Sequence, residues 1–297
     1  MKIAMIGAEE VEGQAVAKAF KQAKCAVTLL VEDISEVKQQ LGQGYEYKHC
    51  DTTNLGHLKN ALQGVDNVYI SLKCVDEEDS LQLITRIKNI VTACQFCNVK
   101  TVGLLSQDLV NEKNSQLFYE VAALYECEKL LKNSGLNYFI FCPAPFMECL
   151  PQYVHERQLY HYIKSEKVIH WLALTDFSQA VVKTFQHGGI KNARIILQGD
   201  CQYSLKEAIQ IYAKALYPGS KFENVEVFFS WLKVSFMANK ALLHGAKKAR
   251  FLGQACTVID DKNEHGNWLL PHSKTALKSW CSGQVLEKRQ NHSALSA

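Results

Sequence analysis

No stretch of this 297-residue chain approaches the roughly 18 consecutive apolar residues that a membrane-spanning helix needs, so no span is expected. The first apolar run, Ile3 to Ile6 behind Lys2, stops at Gly7. That is too short for the hydrophobic region of a secretory signal. Charge of one sign is also scarce: 33 Lys and Arg against 30 Asp and Glu leave a formal net charge of +3. So mild a balance implies neither a nucleic-acid partner nor an anionic membrane surface. A disulfide framework lacks its context too, because the 11 cysteines are scattered, odd in number and follow no secretory signal. Reduced thiols and a cytoplasmic location are expected. What is present, 47% hydrophobic and 21% charged residues, is ordinary globular composition with material for a sizeable core. The length suits one large α/β domain or two small ones.

The first half alternates two periodicities. Lys2–Ile6, Ala26–Val31, Tyr45–Lys48, Asn67–Leu72, Thr101–Leu105 and Asn137–Phe141 read as strands. Ile34–Leu41, Leu55–Leu62, Leu81–Cys97 and Leu117–Leu131 read as helices between them. Such alternation predicts βαβ units and a parallel sheet: an α/β, Rossmann-type doubly wound architecture over residues 1–150. A smaller C-terminal α/β lobe is expected over 151–285, a substrate or partner lobe capping the carboxyl edge of the sheet. In it His155–Tyr162 reads as helix or loop, Val168–Leu172 and Arg194–Leu197 as strands. Asp176–Phe185, Leu205–Leu216 and Trp231–Leu243 read as helices. Residues 286–297 lack apolar periodicity and predict a flexible tail.

The first strand runs into Gly7-Ala8-Glu9-Glu10-Val11-Glu12-Gly13 and then a helical pattern through Val16, Ala17 and Phe20. Strand, glycine turn and helix opening are the layout of a dinucleotide-binding start. There the glycines bend the turn, admit the pyrophosphate and pack helix on strand. The first and last glycines are present; Glu10 replaces the middle one, with Glu9 and Glu12 beside it. A helix N-terminus attracts negative charge, and here carboxylates stand where a diphosphate would sit. Like charges a few ångströms apart repel by roughly 1 kcal/mol in water and several times that in a drier site. A weakened or lost nucleotide site is the expectation; the alternative is that the glutamates point to solvent and the cofactor still binds.

Further segments follow in a recognisable order: Val31-Glu32-Asp33; Cys50-Asp51-Thr52-Thr53-Asn54; Gly64-Val65-Asp66; Glu128 to Ser134-Gly135-Leu136, then Cys142-Pro143; Trp171 to Phe177; and Gly199 to Ala208. With the glycine turn, this series resembles the NmrA-like family of the atypical short-chain dehydrogenase/reductase superfamily, over roughly Met1 to Trp280. The resemblance implies cofactor-binding positions at Gly7, Glu10, Gly13, Glu32, Asp51 and Ser71. Glu32 stands where NADP-preferring members place an arginine. A carboxylate there repels a 2′-phosphate but accepts hydrogen bonds from a ribose diol, so NAD, weakly held or lost, is expected over NADP. Asp51 matches an aspartate beside the adenine, or serves as a turn cap.

The superfamily's proton relay is Tyr-x-x-x-Lys, in which the lysine lowers the tyrosine pKa. Tyr125 and Lys129 match it formally. Counted back from the glutamate that Glu128 matches, however, the lysine position falls on Leu124 and the tyrosine position on Glu120. Tyr125 and Lys129 are then turned off the active-site face at about 100° per residue. Tyr119 has no lysine one turn on. Ser106 matches the superfamily's active-site serine, although a serine at a strand end is also ordinary turn chemistry. No catalytic residue is assigned. Cys94-Gln95-Phe96-Cys97 lacks a second pair and reads as helix packing, so no metal site is expected. The lysine-rich stretch Lys233–Arg250 reads as a solvated helix face, with a docking helix as the alternative. The sequence thus predicts a non-catalytic, nucleotide-sensing or protein-binding regulator. An NAD(P)H-dependent reductase of a small carbonyl or quinone, and a cofactor-free scaffold, are the alternatives.

Overall fold

The computed structural model describes residues 1–74, 76–155, 157–161, 168–226, 251, 266–271 and 274–294. In chain order the elements begin β1 (Lys2–Ile6), α1 (Val11–Gln22), β2 (Ala26–Val31), α2 (Ile34–Leu41), β3 (Glu46–His49) and α3 (Leu55–Ala61). They continue with β4 (Asn67–Ile70), α4 (Glu77–Phe96), β5 (Thr101–Leu105), α5 (Glu112–Ser115), α6 (Tyr119–Lys132) and β6 (Asn137–Pro143). After a 3₁₀ turn at Met147–Tyr153 come β7 (Val154–His155), β8 (Gln158–His161), β9 (Ile169–Trp171), α7 (Leu174–Gln186) and β10 (Ala193–Leu197). The last are β11 (Cys201–Tyr203), α8 (Leu205–Leu216), β12 (Glu223–Glu226), α9 (Gly266–Leu269) and α10 (Leu277–Ala294).

Ile3, Ala4, Met5 and Ile6 are all buried, as befits a central parallel strand covered on both faces. β1 pairs in parallel with β2 and with β4, and the ladder extends in parallel from β2 to β3, from β4 to β5 and from β5 to β6. The seven-stranded order is β10-β6-β5-β4-β1-β2-β3. The chain therefore runs outward from β1 to β3 and then returns to the other side of β1 at β4. That reversal makes β1/β4 the topological switch point of a doubly wound sheet, where a crevice opens at the carboxyl ends. Helices α3, α4 and α6 pack as one group. On α1 and α7, Phe20 and Phe185 meet edge to face at 5.6 Å. Gly103 in β5 leaves room for Phe185, whose Cζ would lie 2.7 Å from a Cβ there.

The chain divides into two compact units. One joins Met1–Cys142 with Phe177–Leu197 and Ala255–Leu270; the other joins Pro143–Asp176 with Gln198–Gln254 and Pro271–Ala297. The second unit has its own core of Met147, Leu150, Leu159, Trp171, Ile209, Tyr212, Leu277 and Trp280. Glu148 ties it together, accepting from the Leu174 amide at 3.1 Å and from Trp280 Nε1 at 3.0 Å. No helix among the described residues is long and apolar enough to cross a membrane.

Several expectations need correction. The strand at Arg194 belongs to the main sheet, not to the second lobe. Where helix or loop was expected over His155–Tyr162, the described residues Val154–His155 and Gln158–His161 are strands: β7 and β8 pair antiparallel, and Arg157 has φ 66°. α4 starts at Glu77 rather than Leu81 because Asp76 accepts from the Asp79 amide at 2.9 Å and caps it. α10 runs from Leu277 to Ala294, into the segment 286–297. The helix expected at Trp231–Leu243 and the stretch Lys233–Arg250 lie outside the described residues.

Candidate functional site

The turn from β1 to α1 is dictated by two glycines. Gly7 has φ +92°, and a Cβ on it would sit 2.1 Å from the Ser71 carbonyl oxygen. A Cβ on Gly13 would sit 2.0 Å from the Gly7 carbonyl oxygen. Neither position admits a side chain. Glu10, at the middle-glycine position, has φ −89° and ψ 150°, extended backbone open to any residue. Ser71 lies fully buried beneath the turn and donates its amide to the Ile6 carbonyl at 2.9 Å.

The three glutamates of the turn each have a partner. Glu10 is the N-cap residue of α1, yet its side chain makes no capping bond. By contrast Asp33, Asn54, Asp76 and Ser204 cap α2, α3, α4 and α8. Glu9 turns away to accept the Glu32 amide at 3.2 Å. Burial raises the Glu9 pKa, against the lowering effect of backbone hydrogen bonds. Glu12 and Glu10 both turn to Lys73, at 2.6 and 3.5 Å. Burial pulls the Lys73 pKa down, but Glu12 and then Glu10 outweigh it, and the net direction is up. Lys73 was missed from the sequence. The signal available was its place just past β4, the strand beside β1. Glu32 is exposed at the end of β2. Asp51 closes a turn, accepting from the Thr53 amide at 2.8 Å and the Thr53 hydroxyl at 2.6 Å. Those two bonds lower its pKa.

A second polar group lies at the end of β5. Ser106 is no solvent-facing turn serine: it is buried and its hydroxyl donates to Glu128 Oε1 at 2.6 Å. Glu128 is 2% exposed and also receives Arg194 Nε and Lys132 Nζ, each at 3.1 Å. Arg194 further donates to the carbonyl oxygens of Gln107 and Val110, at 3.2 and 2.9 Å. Beside them burial, reinforced by Glu128, pushes the Cys142 thiol pKa well up. The cluster leaves the only proton of the Ser106 hydroxyl committed to a carboxylate.

On α6, Glu120 and Leu124 are buried, and Glu120 accepts from the Gln107 side-chain amide. Lys129 is exposed and pairs with Glu126 at 2.9 Å, its ammonium 5.4 Å from the centre of the Tyr125 ring. Burial raises the Tyr119 pKa, the direction opposite to what a proton-relay phenol needs. Cys94 is buried and its pKa is pushed up to about 12 by that burial. Cys97 Sγ meets the Lys59 carbonyl at 3.3 Å. The described cysteines are free thiols. Among the described residues no three His, Cys, Asp or Glu side chains are grouped to hold a metal ion.

Residues 7–157 match the family described as NAD(P)H-binding. A search of curated protein sequences gave no match. Among solved structures, a nucleoside-diphosphate-sugar epimerase from Staphylococcus aureus superposes with a TM-score of 0.76 at 19% identity, over 95% of this chain and 100% of its own. An NADPH-dependent quinone oxidoreductase from Escherichia coli, complexed with NADPH, gives 0.77 at 19% identity, over 95% and 99%. Triphenylmethane reductase from Citrobacter sp., complexed with NADP(H), gives 0.74 at 20% identity, over 96% and 100%. At such identities the likeness is one of fold. Over half of its length the sequence itself carries the family match, and the chain belongs to the NAD(P)H-binding family.

Proposed function

We propose that this chain is an NmrA-like dinucleotide-binding protein that acts as a nucleotide-sensing or protein-binding regulator rather than as an oxidoreductase. One observation carries the reading: the buried 2.6 Å hydrogen bond in which Ser106 gives its proton to Glu128. A serine that polarises a substrate carbonyl has to donate to it, and this one has nothing left to donate. Glu120 and Leu124 at the relay positions, buried on α6, supply neither a phenol nor an ammonium.

The crevice itself fits a dinucleotide. The α1 opening lacks a side-chain cap, leaving its amides and dipole for a diphosphate. Lys73 supplies a nearby cation. When bound, the cofactor would bring a nicotinamide as hydride carrier; this chain's residues only seat it. Glu32 at the end of β2 favours a ribose diol over a 2′-phosphate, hence NAD over NADP.

A second reading, a reductase of a small carbonyl or quinone, draws on the fold shared with reductases complexed with NADPH. Hydride transfer can proceed by positioning alone. Calorimetric titration with NAD, NADH, NADP and NADPH, paired with assays of NADH and NADPH oxidation with quinones and aldehydes as acceptors, separates the two. Binding near 10 µM, about 7 kcal/mol, without turnover supports the regulator. Turnover with a quinone replaces it by the reductase. No binding of any of the four overturns both and leaves a scaffold.

A further inference from the structure

The loop after β4 and the first turn of α1 are joined across the switch point by one ammonium. Lys73 Nζ lies 2.6 Å from Glu12 Oε2 and 3.5 Å from Glu10 Oε2. The two carboxylates are not equivalent: the Glu12 side chain is 15% exposed and the Glu10 side chain 45%. A largely buried carboxylate is left stranded when its cation moves away. A half-exposed one returns to water at little cost. Glu12 is therefore the holding partner and Glu10 the replaceable one. Glu10 also stands at the turn's middle-glycine position, at the N-cap of a helix whose opening it does not cap.

We propose that the Glu10 carboxylate is a built-in stand-in for the ligand's diphosphate. In the free chain it occupies Lys73; a diphosphate-bearing ligand binds by displacing it, while Glu12 keeps the ammonium in place. The inference rests on the dinucleotide reading of the crevice. An ammonium has three donors, enough to serve Glu12 and a phosphate oxygen together. Binding is then an exchange of anions on one cation, and the Glu10 pair sets the affinity threshold. Neutralising Glu10 lowers that threshold, with Lys73 as the group that carries the gain.

NADH and, separately, inorganic pyrophosphate are titrated calorimetrically into the wild type, Glu10→Gln and Glu10→Gln/Lys73→Met, with thermal unfolding to establish that each variant folds. Glu10→Gln should tighten both ligands about fivefold, the worth of an exposed ion pair. Adding Lys73→Met should then weaken them by about tenfold, a lost charge-assisted contact. Acetylation of Lys73 followed by mass spectrometry reads the same contact without substituting the lysine, and NADH should slow it. A gain in Glu10→Gln that survives Lys73→Met means plain repulsion and refutes the exchange. So does an acetylation rate indifferent to bound NADH. If NADH binds the wild type and Glu10→Gln alike, the exchange is refuted and the dinucleotide reading stands. If it binds neither, the dinucleotide reading fails and takes the exchange with it.

Discussion

Replacing Arg194 by leucine isolates the buried cluster at the end of β5. The substitution removes the Nε donor to Glu128 at 3.1 Å and the Nη2 donors to the Gln107 and Val110 carbonyl oxygens, at 3.2 and 2.9 Å. Glu128, 2% exposed, stays behind with Ser106 at 2.6 Å and Lys132 at 3.1 Å. Breaking a buried ion pair by removing one partner costs about 3–5 kcal/mol, because the other charge is stranded. Lys132 remains and the Arg194 side chain is itself 22% exposed, so the cost belongs at the low end, about 3 kcal/mol. In a protein of this size that corresponds to a fall in Tm of roughly 6–12 °C. Urea unfolding followed by circular dichroism, with the scan in temperature beside it, measures both. Glu128→Gln/Arg194→Leu should lose less than the sum of the single variants, since neither charge is then stranded; a coupling of about 1–3 kcal/mol is expected. An Arg194→Leu variant within about 1 kcal/mol of the wild type, or singles that add, would show the cluster to be ornamental. The reading of Ser106 as a committed donor would go with it.

Gly13→Ala forces a methyl to within 2.0 Å of the Gly7 carbonyl oxygen. It should cost about 1–3 kcal/mol or more by urea unfolding, whether or not a dinucleotide is present. Ser204→Ala removes half of the α8 capping box and should cost about 1 kcal/mol in the same assay. Its partner Glu207 has a pKa lowered by the Ser204 amide and hydroxyl. A carboxylate depressed in the folded state stabilises above its unfolded pKa, about 4.3, and that stability is lost as pH falls through the lower folded value. The difference between wild type and Glu207→Gln should accordingly shrink from pH 6 to pH 3; a difference independent of pH would contradict the assignment. Tyr125→Phe and Lys129→Met should each leave stability within about 0.5 kcal/mol and NADH affinity unchanged. A loss of binding or turnover in either would restore the formal Tyr-x-x-x-Lys match as a working pair.

Legibility in the sequence follows the range of the interaction that fixes each feature. The strands at Ala26–Val31 and Thr101–Leu105 and the helices at Ile34–Leu41 and Leu205–Leu216 have the limits that the periodicity predicts. Each strand is one short apolar run, and in each helix the apolar pattern and the capping Asp33 or Ser204 sit within a few residues of one another. The β7–β8 hairpin was hidden because its turn uses Arg157 at φ 66°, without the glycine, asparagine or aspartate that usually marks a left-handed residue. Lys73 with Glu12, and Arg194 with Glu128, were hidden for another reason. Their partners lie some 60 residues apart, and nothing local selects one carboxylate over another until the sheet has formed.

The same distinction bears on what the glycine turn says about function. Gly7 and Gly13 are demanded by backbone contacts inside the protein, with the Ser71 and Gly7 carbonyl oxygens. Those contacts would require glycine in a chain that binds no cofactor at all. The two glycines therefore testify to the strand–helix packing and, taken alone, not to a bound dinucleotide. Glu10 is different: its φ of −89° imposes no residue type, so the identity at that position is free to answer to charge. Lys73, half-exposed and shared between two carboxylates, answers to the same demand. If the crevice takes a diphosphate, the evidence must come from Glu10 and Lys73 and not from the glycines. Substituting the former changes affinity without disturbing the turn, whereas substituting the latter strains the strand–helix turn itself and lowers stability whether or not anything binds.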